Sequence, residues 1–199
     1  TCALPILGLI GPLNLTVKES TFTDWLADNK KDVNARVAAL RVLADRKAKS
    51  LSHVVDRSLA DTEPLLRAEA RDVLTTADSG RATQLFIGVL ADGKSTIVER
   101  QRALASLAKL KNEAAAKRLD VLAEELAKRS LSAELWLDAR DALVTARSTT
   151  RDKSRLKFES WLSSQPRKLF TMSLQGGNPD RGREIFFNHT AAQCIRCHK

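Results

Sequence analysis

The chain has 199 residues, with 33 Lys+Arg against 24 Asp+Glu for a net charge of +9. A hydrophobic fraction of 43% and a charged fraction of 29% exclude a mostly disordered chain, and 8 Gly with 5 Pro exclude collagen-like and low-complexity classes. Three Cys are too few for a disulfide scaffold, and six Phe, three Trp and no Tyr are thin for a β-sandwich or barrel.

Residues 1–19 open with an apolar stretch, Cys2 to Leu13, that carries no charge and is broken by Pro5 and Pro12. A spanning helix needs about 20 apolar residues, so no membrane span is expected. No basic region precedes the stretch, so it is not a complete signal peptide. It reads as a remnant of a preceding domain. The chain starts at Thr1 rather than Met and stops one residue past a Cys-x-x-Cys-His, so we read it as a fragment of a longer protein.

Residues 20–165 carry an internal repeat. Leu26-Ala27-Asp28 recurs as Leu59-Ala60-Asp61 and Leu90-Ala91-Asp92, then weakens to Leu126-Ala127-Lys128 and Leu162-Ser163-Ser164. Trp25 and Trp161 precede the first and last of these leucines. After each of the first four copies comes a second element: Arg36, Ala39, Leu40, Leu43; then Arg67, Ala70, Arg71, Leu74; then Arg100, Ala103, Leu104, Leu107; then Trp136, Ala139, Arg140, Leu143. This spacing marks one face of an α-helix, with a small residue for close approach and a leucine for the core.

Each unit is therefore a helix pair. First helices are expected over 21–29, 51–60, 82–91, 114–128 and 152–164, and second helices over 33–46, 64–77, 96–110 and 133–146. Asp32, Asp61 and Ser95 are the expected caps or near-caps. The five leucines should be buried at equivalent positions, with the tryptophans also in the core. Arg36, Arg67 and Arg100 are expected to bond carbonyls or a neighbouring Asp rather than to catalyse, and His53 reads as an ordinary surface residue. The pattern resembles HEAT-type repeats. That resemblance implies an all-α solenoid of about nine helices that serves as a scaffold or docking surface for protein–protein interaction.

Charge is uneven along the chain. Residues 16–148 hold 23 basic and 20 acidic residues, whereas residues 149–175 hold six and two. A nucleic-acid binder wants a basic face along its body, so no nucleic-acid partner is expected. The run Arg151 to Lys157 reads as a solvated helix face. Pro166, Gly176, Gly177 and Pro179 make residues 166–179 a linker, expected to be extended and weakly packed.

Residues 180–199 carry the chemistry. A short helix over 181–187, capped by Asn178 or Asp180, leads to Cys194-Ile195-Arg196-Cys197-His198. Cys-x-x-Cys-His is the haem c attachment pattern: Cys194 and Cys197 would form thioethers with the two vinyl groups, and His198 would be the proximal iron ligand. A thioredoxin-type reading lacks its strand. Zinc lacks a second ligand pair, since only His189 and the remote Cys2 remain. The preceding Gly182 and Phe186 stand at the spacing of the opening helix of class I cytochromes c, which the run from Gly177 to Phe187 resembles.

The whole arrangement resembles the C-terminal region of large planctomycete and verrucomicrobial proteins, in which helical repeats precede a cytochrome c domain. This resemblance implies an exported, periplasmic electron-transfer protein working with a redox partner or a fused dehydrogenase. Whether the parent is an oxidoreductase is left open. No distal haem ligand is expected in this chain: Met172 lies upstream of the motif, and His189 is too close to it. The alternative reading is a HEAT-like interaction scaffold whose terminal Cys/His motif binds zinc or is inactive.

Overall fold

Several helices begin where a capping side chain precedes an apolar period. Asp32 accepts hydrogen bonds from the backbone N–H groups of Asn34 and Ala35. Asp78 accepts one from Arg81 N–H, Asn112 from Ala115 and Ser148 from Arg151. Each bond satisfies a donor that the first turn leaves without an intrahelical partner. The structure is a computed structural model that describes residues 17–175, 177, 179–191 and 193–197, and among these every regular element is helical.

The helices in chain order are α1 (Glu19–Ala27), α2 (Val33–Asp45), α3 (Leu51–Leu59), α4 (Pro64–Ala77), α5 (Ser79–Ala91), α6 (Ile97–Leu107) and α7 (Glu113–Lys128). A 3₁₀ turn at Ala133–Leu135 then leads into α8 (Trp136–Thr145), α9 (Thr149–Ser163), α10 (Pro166–Gln175) and α11 (Pro179–Asn188), and a second 3₁₀ turn covers Cys194–Arg196. No described helix is long and apolar enough to cross a membrane. Residues 1–16, where the apolar segment with Cys2 falls, lie outside the described residues, as does His198.

The chain divides into two compact units after Ser106. In the first, α1 packs on α2 and α3, α3 on α4, α4 on α5, and α2 on α4. In the second, α7 packs on α8 and α9, α9 on α8 and α10, and α10 on the Ala133–Leu135 turn and α8.

The second helix of each pair follows its sequence pattern. Ala39, Ala70, Ala103 and Ala139 are at most 1% exposed, and Leu43, Leu74, Leu107 and Leu143 at most 5%. The first helices differ from expectation. Leu26, Leu126 and Leu162 are buried, but Leu59 and Leu90 are half-buried. The constant core position lies one helical turn earlier: Phe22, Val55, Phe86, Leu122 and Phe158 are each 1% exposed. A residue near the last turn sits at the rim of its packing face, whereas the residue four earlier points into the middle of it. Nor are the tryptophans core. Trp25, Trp136 and Trp161 are half-buried, and the Trp136 indole N–H donates to the Leu131 carbonyl. A polar ring nitrogen that needs a partner keeps such a ring at the edge.

Two local expectations are also corrected. The cap before α6 is Thr96, not Ser95. Thr96 N–H and Oγ1–H both donate to Glu99, and Glu99 N–H donates back to Thr96 Oγ1, the reciprocal arrangement of a capping box. Residues 166–175 are not extended but form α10. Proline stops a helix that reaches it, yet it fits the first turn of the next one, and no breaker follows until Gly176. Met172 is accordingly buried at 5% exposure.

The recurring arginines of the first unit work on backbone and carboxylates, as expected. Arg36 donates to the Leu26 carbonyl at the end of α1 and to the Asp61 carboxylate. Arg67 donates to the Asp61 and Thr62 carbonyls beyond α3, and Arg100 to the Asp92 carbonyl beyond α5. Each closes carbonyls that a helix C-terminus leaves open. Two buried glutamates join the second helices further. Glu69 of α4 takes bonds from Arg41 of α2 and Arg102 of α6, and Glu99 of α6 takes bonds from Arg67 and Arg71 of α4.

Candidate functional site

The Cys-x-x-Cys segment is placed by α11. This helix packs on the Cys194–Arg196 turn. The helix ends with His189 N–H donating to the Ile185 carbonyl at 3.0 Å, and Gln193 N–H then donates to the His189 carbonyl at 3.1 Å. Gln193 takes a left-handed conformation with φ 45°, which reverses the chain into the 3₁₀ turn. Cys197 N–H donates to the Cys194 carbonyl at 3.3 Å, so the two cysteines stand at the two ends of a single turn. Both are free thiols; Cys194 is half-buried and Cys197 exposed.

The helix and turn leave several apolar side chains uncovered. Ile185 is 43% exposed, Phe187 47% and Ile195 44%. Phe186 meets Phe187 edge to face at 5.1 Å between ring centres, and the Arg183 guanidinium lies 5.1 Å from the Phe187 ring centre. Uncovered apolar side chains on the helix that carries the turn are surface that a flat hydrophobic group could cover. Cys194 and Cys197, at the two ends of one turn, are placed to be joined to one group. The sequence marks Ile185 and Phe186 as the apolar residues of the short helix, but nothing in the spacing shows that Ile185, Phe187 and Ile195 stay at the surface.

Upstream, a hydrogen bond ties the start of this segment to the helix pairs. Gly177 N–H donates to the Asp138 carboxylate of α8 at 3.2 Å. Gly177 holds φ 124°, and a Cβ there would lie 3.4 Å from Leu137 Cδ2. A residue without a side chain suits both the conformation and the close approach. The partners are 39 positions apart, so the sequence offers no sign of this bond.

Of the sequence-predicted site, the structure brings Cys194 and Cys197 together, while His198 lies outside the described residues. Among the described residues no group of three His, Cys, Asp or Glu side chains is placed to hold a metal ion. His189 is exposed, and Met172 is buried in α10. No protein-family model, no curated protein and no solved structure matches the chain.

Proposed function

We propose that this chain is part of an exported electron-transfer protein, in which a HEAT-like helical scaffold presents a haem c attachment turn. The observation that carries this reading is the single turn with free Cys194 and Cys197 at its ends, packed on a helix that leaves Ile185 and Phe187 uncovered.

Cys194 and Cys197 would hold the haem as thioethers, each sulfur adding across a vinyl group, and His198 would ligate the iron. When bound, haem supplies a one-electron iron couple. The chain's own residues do the rest. The 3₁₀ turn fixes the spacing of the two sulfurs, α11 supplies an apolar wall through Phe186 and Phe187, and the Gly177–Asp138 bond anchors that helix to α8. Five fully buried positions at matched places in the first helices, and four buried alanines in the second, support a stacked repeat scaffold. Attachment to reduced thiols of an exported chain points to a periplasmic or equivalent compartment, with a redox protein or a fused dehydrogenase as partner.

The test is to export the chain together with c-type maturation factors and to record its mass and absorption. A mass gain of one haem, with c-type absorption lost when Cys194→Ala and Cys197→Ala are combined, is the expected result. Stoichiometric zinc without c-type absorption in the same preparation would overturn the reading.

A further inference from the structure

The basic residues between 149 and 175 are divided by the fold. On α9, Arg151 donates to Asp120 and to the Ala116 carbonyl of α7, and Arg155 pairs with Asp152 and Glu159. These cations are spent inside the unit. Lys153 and Lys157 are exposed, and neither has an ion pair among the described residues. They flank Leu156, which is 54% exposed, and their spacing places all three on one face of α9. The same face continues through exposed Ser160 and Ser164, and the acidic residues that border it beside Leu156, Asp152 and Glu159, are paired with Arg155.

Packed against α9 is α10, whose first turn adds exposed Arg167 and Lys168. The Lys168 ammonium lies 4.8 Å from the Trp161 ring centre, and the Arg129 guanidinium 4.9 Å from the same ring. We infer that this surface, with Leu156 between Lys153 and Lys157 and the cations around Trp161 beside it, docks an acidic protein partner that contributes an apolar side chain.

The chemistry distinguishes a protein from a nucleic acid. A phosphate backbone is followed by a continuous row of cations and has no use for an exposed leucine. On α7, which packs on α9, Lys117 and Lys128 are already paired with Glu113 and Glu124, and Val121 is 51% exposed. Apolar centres among isolated cations match the anatomy of a protein interface, where charge steers approach and a small apolar core holds the contact. The surface is made by α9, the start of α10 and Arg129 at the end of α7, and does not depend on the cysteine turn, so it stands whether or not the chain carries haem.

The experiment uses the haem-free full chain and three probes: a glutamate-rich peptide with interspersed leucines, a 20-base-pair duplex DNA, and vesicles of anionic phospholipid. The peptide should bind with salt-dependent affinity. Lys153→Glu combined with Lys157→Glu should weaken it by about tenfold, and Leu156→Ser by about threefold, with the helical signal and melting temperature retained. All three residues are exposed, so the fold should survive; Lys153→Gln with Lys157→Gln provides a milder pair and should weaken binding by a smaller factor. Tighter binding of DNA or of vesicles than of the peptide would overturn the inference. So would peptide binding that neither lysine pair nor Leu156→Ser changes.

Discussion

Arg67 and Glu99 face each other fork to fork, with Nε and Nη2 of the arginine donating to the two carboxylate oxygens at 2.9 and 2.8 Å. Arg71 and Thr96 complete the set of donors, and the Glu99 side chain is 1% exposed. Burial alone would push the carboxyl up. The bonds from Arg67, Arg71 and Thr96 outweigh it and hold the group at about 2, down from 4.5. The unfolded chain therefore takes up this proton first as pH falls. The contribution is complete above pH 4.5 and is lost on descent toward about 2. Its scale is on the order of 3 kcal/mol, since each tenfold change in proton affinity is worth about 1.4 kcal/mol. Urea unfolding at stepped pH should show stability flat near neutrality and falling through that acid window. Glu99→Gln should lower stability at neutral pH and flatten the acid fall; a profile parallel to that of the parent would sink the assignment.

Glu69 offers a graded comparison. Despite its burial, its carboxyl is held below the usual range by Arg41 and Arg102. Its partners are wetter than those of Glu99: the Arg41 side chain is 56% exposed and that of Arg102 28%, against 11% for Arg71. Removing a carboxylate from dry partners strands their charge, at about 3–5 kcal/mol. Glu99→Ala should fall in that range. Glu69→Ala should cost roughly 1–2 kcal/mol, because Arg41 can turn to water. Denaturant midpoints of the two variants decide this, and equal losses would contradict it.

The core position four residues before each repeat leucine makes a third prediction. Phe86 is 1% exposed and Leu90 half-buried, both on α5. Phe86→Ala should destabilise by about 3–5 kcal/mol through lost transfer energy and an unfilled cavity. Leu90→Ala should destabilise by about 1–2 kcal/mol, because part of its surface is already in water. Thermal and urea unfolding of the pair provide the measurement. A larger loss at Leu90 would restore it as the central residue.

The second helices are legible in the sequence because Ala39, Ala70, Ala103 and Ala139 keep one identity at one burial, so a letter pattern and a packing pattern coincide. In the first helices the recurring triplet marks a helix end, while the central position is Phe, Val, Phe, Leu and Phe in turn. What persists there is burial, not identity, and a search for repeated letters lands one turn away. Pro166 misleads for a related reason, since one residue type both ends and begins helices. The Arg67–Glu99 and Arg41–Glu69 pairs span 32 and 28 residues, a separation that only the packing of α2, α4 and α6 brings together. The Cys194–Cys197 turn is legible as a motif, since the spacing of two cysteines can be read directly. The exposure of Ile185, Phe187 and Ile195 is not, because exposure is a property of the folded surface.

The thiols themselves give the last prediction. Cys194 and Cys197 end the same turn, but the first is half-buried and the second exposed. Reaction with a maleimide requires the sulfur to be reached in the native fold, so accessibility alone orders the two. In chain made without haem, under native conditions and with reduced thiols, both should be modified, Cys197 several-fold faster than Cys194. Peptide mass mapping over a time course reads the two rates separately. Adding denaturant should bring them together by removing the shelter of α11 from Cys194. Chain that has been exported with maturation factors should resist modification at both positions, because thioether sulfur is no longer nucleophilic. Protection at both cysteines in the haem-free chain would mean that the turn is covered or liganded by something else, and the proposed attachment site would then be wrong.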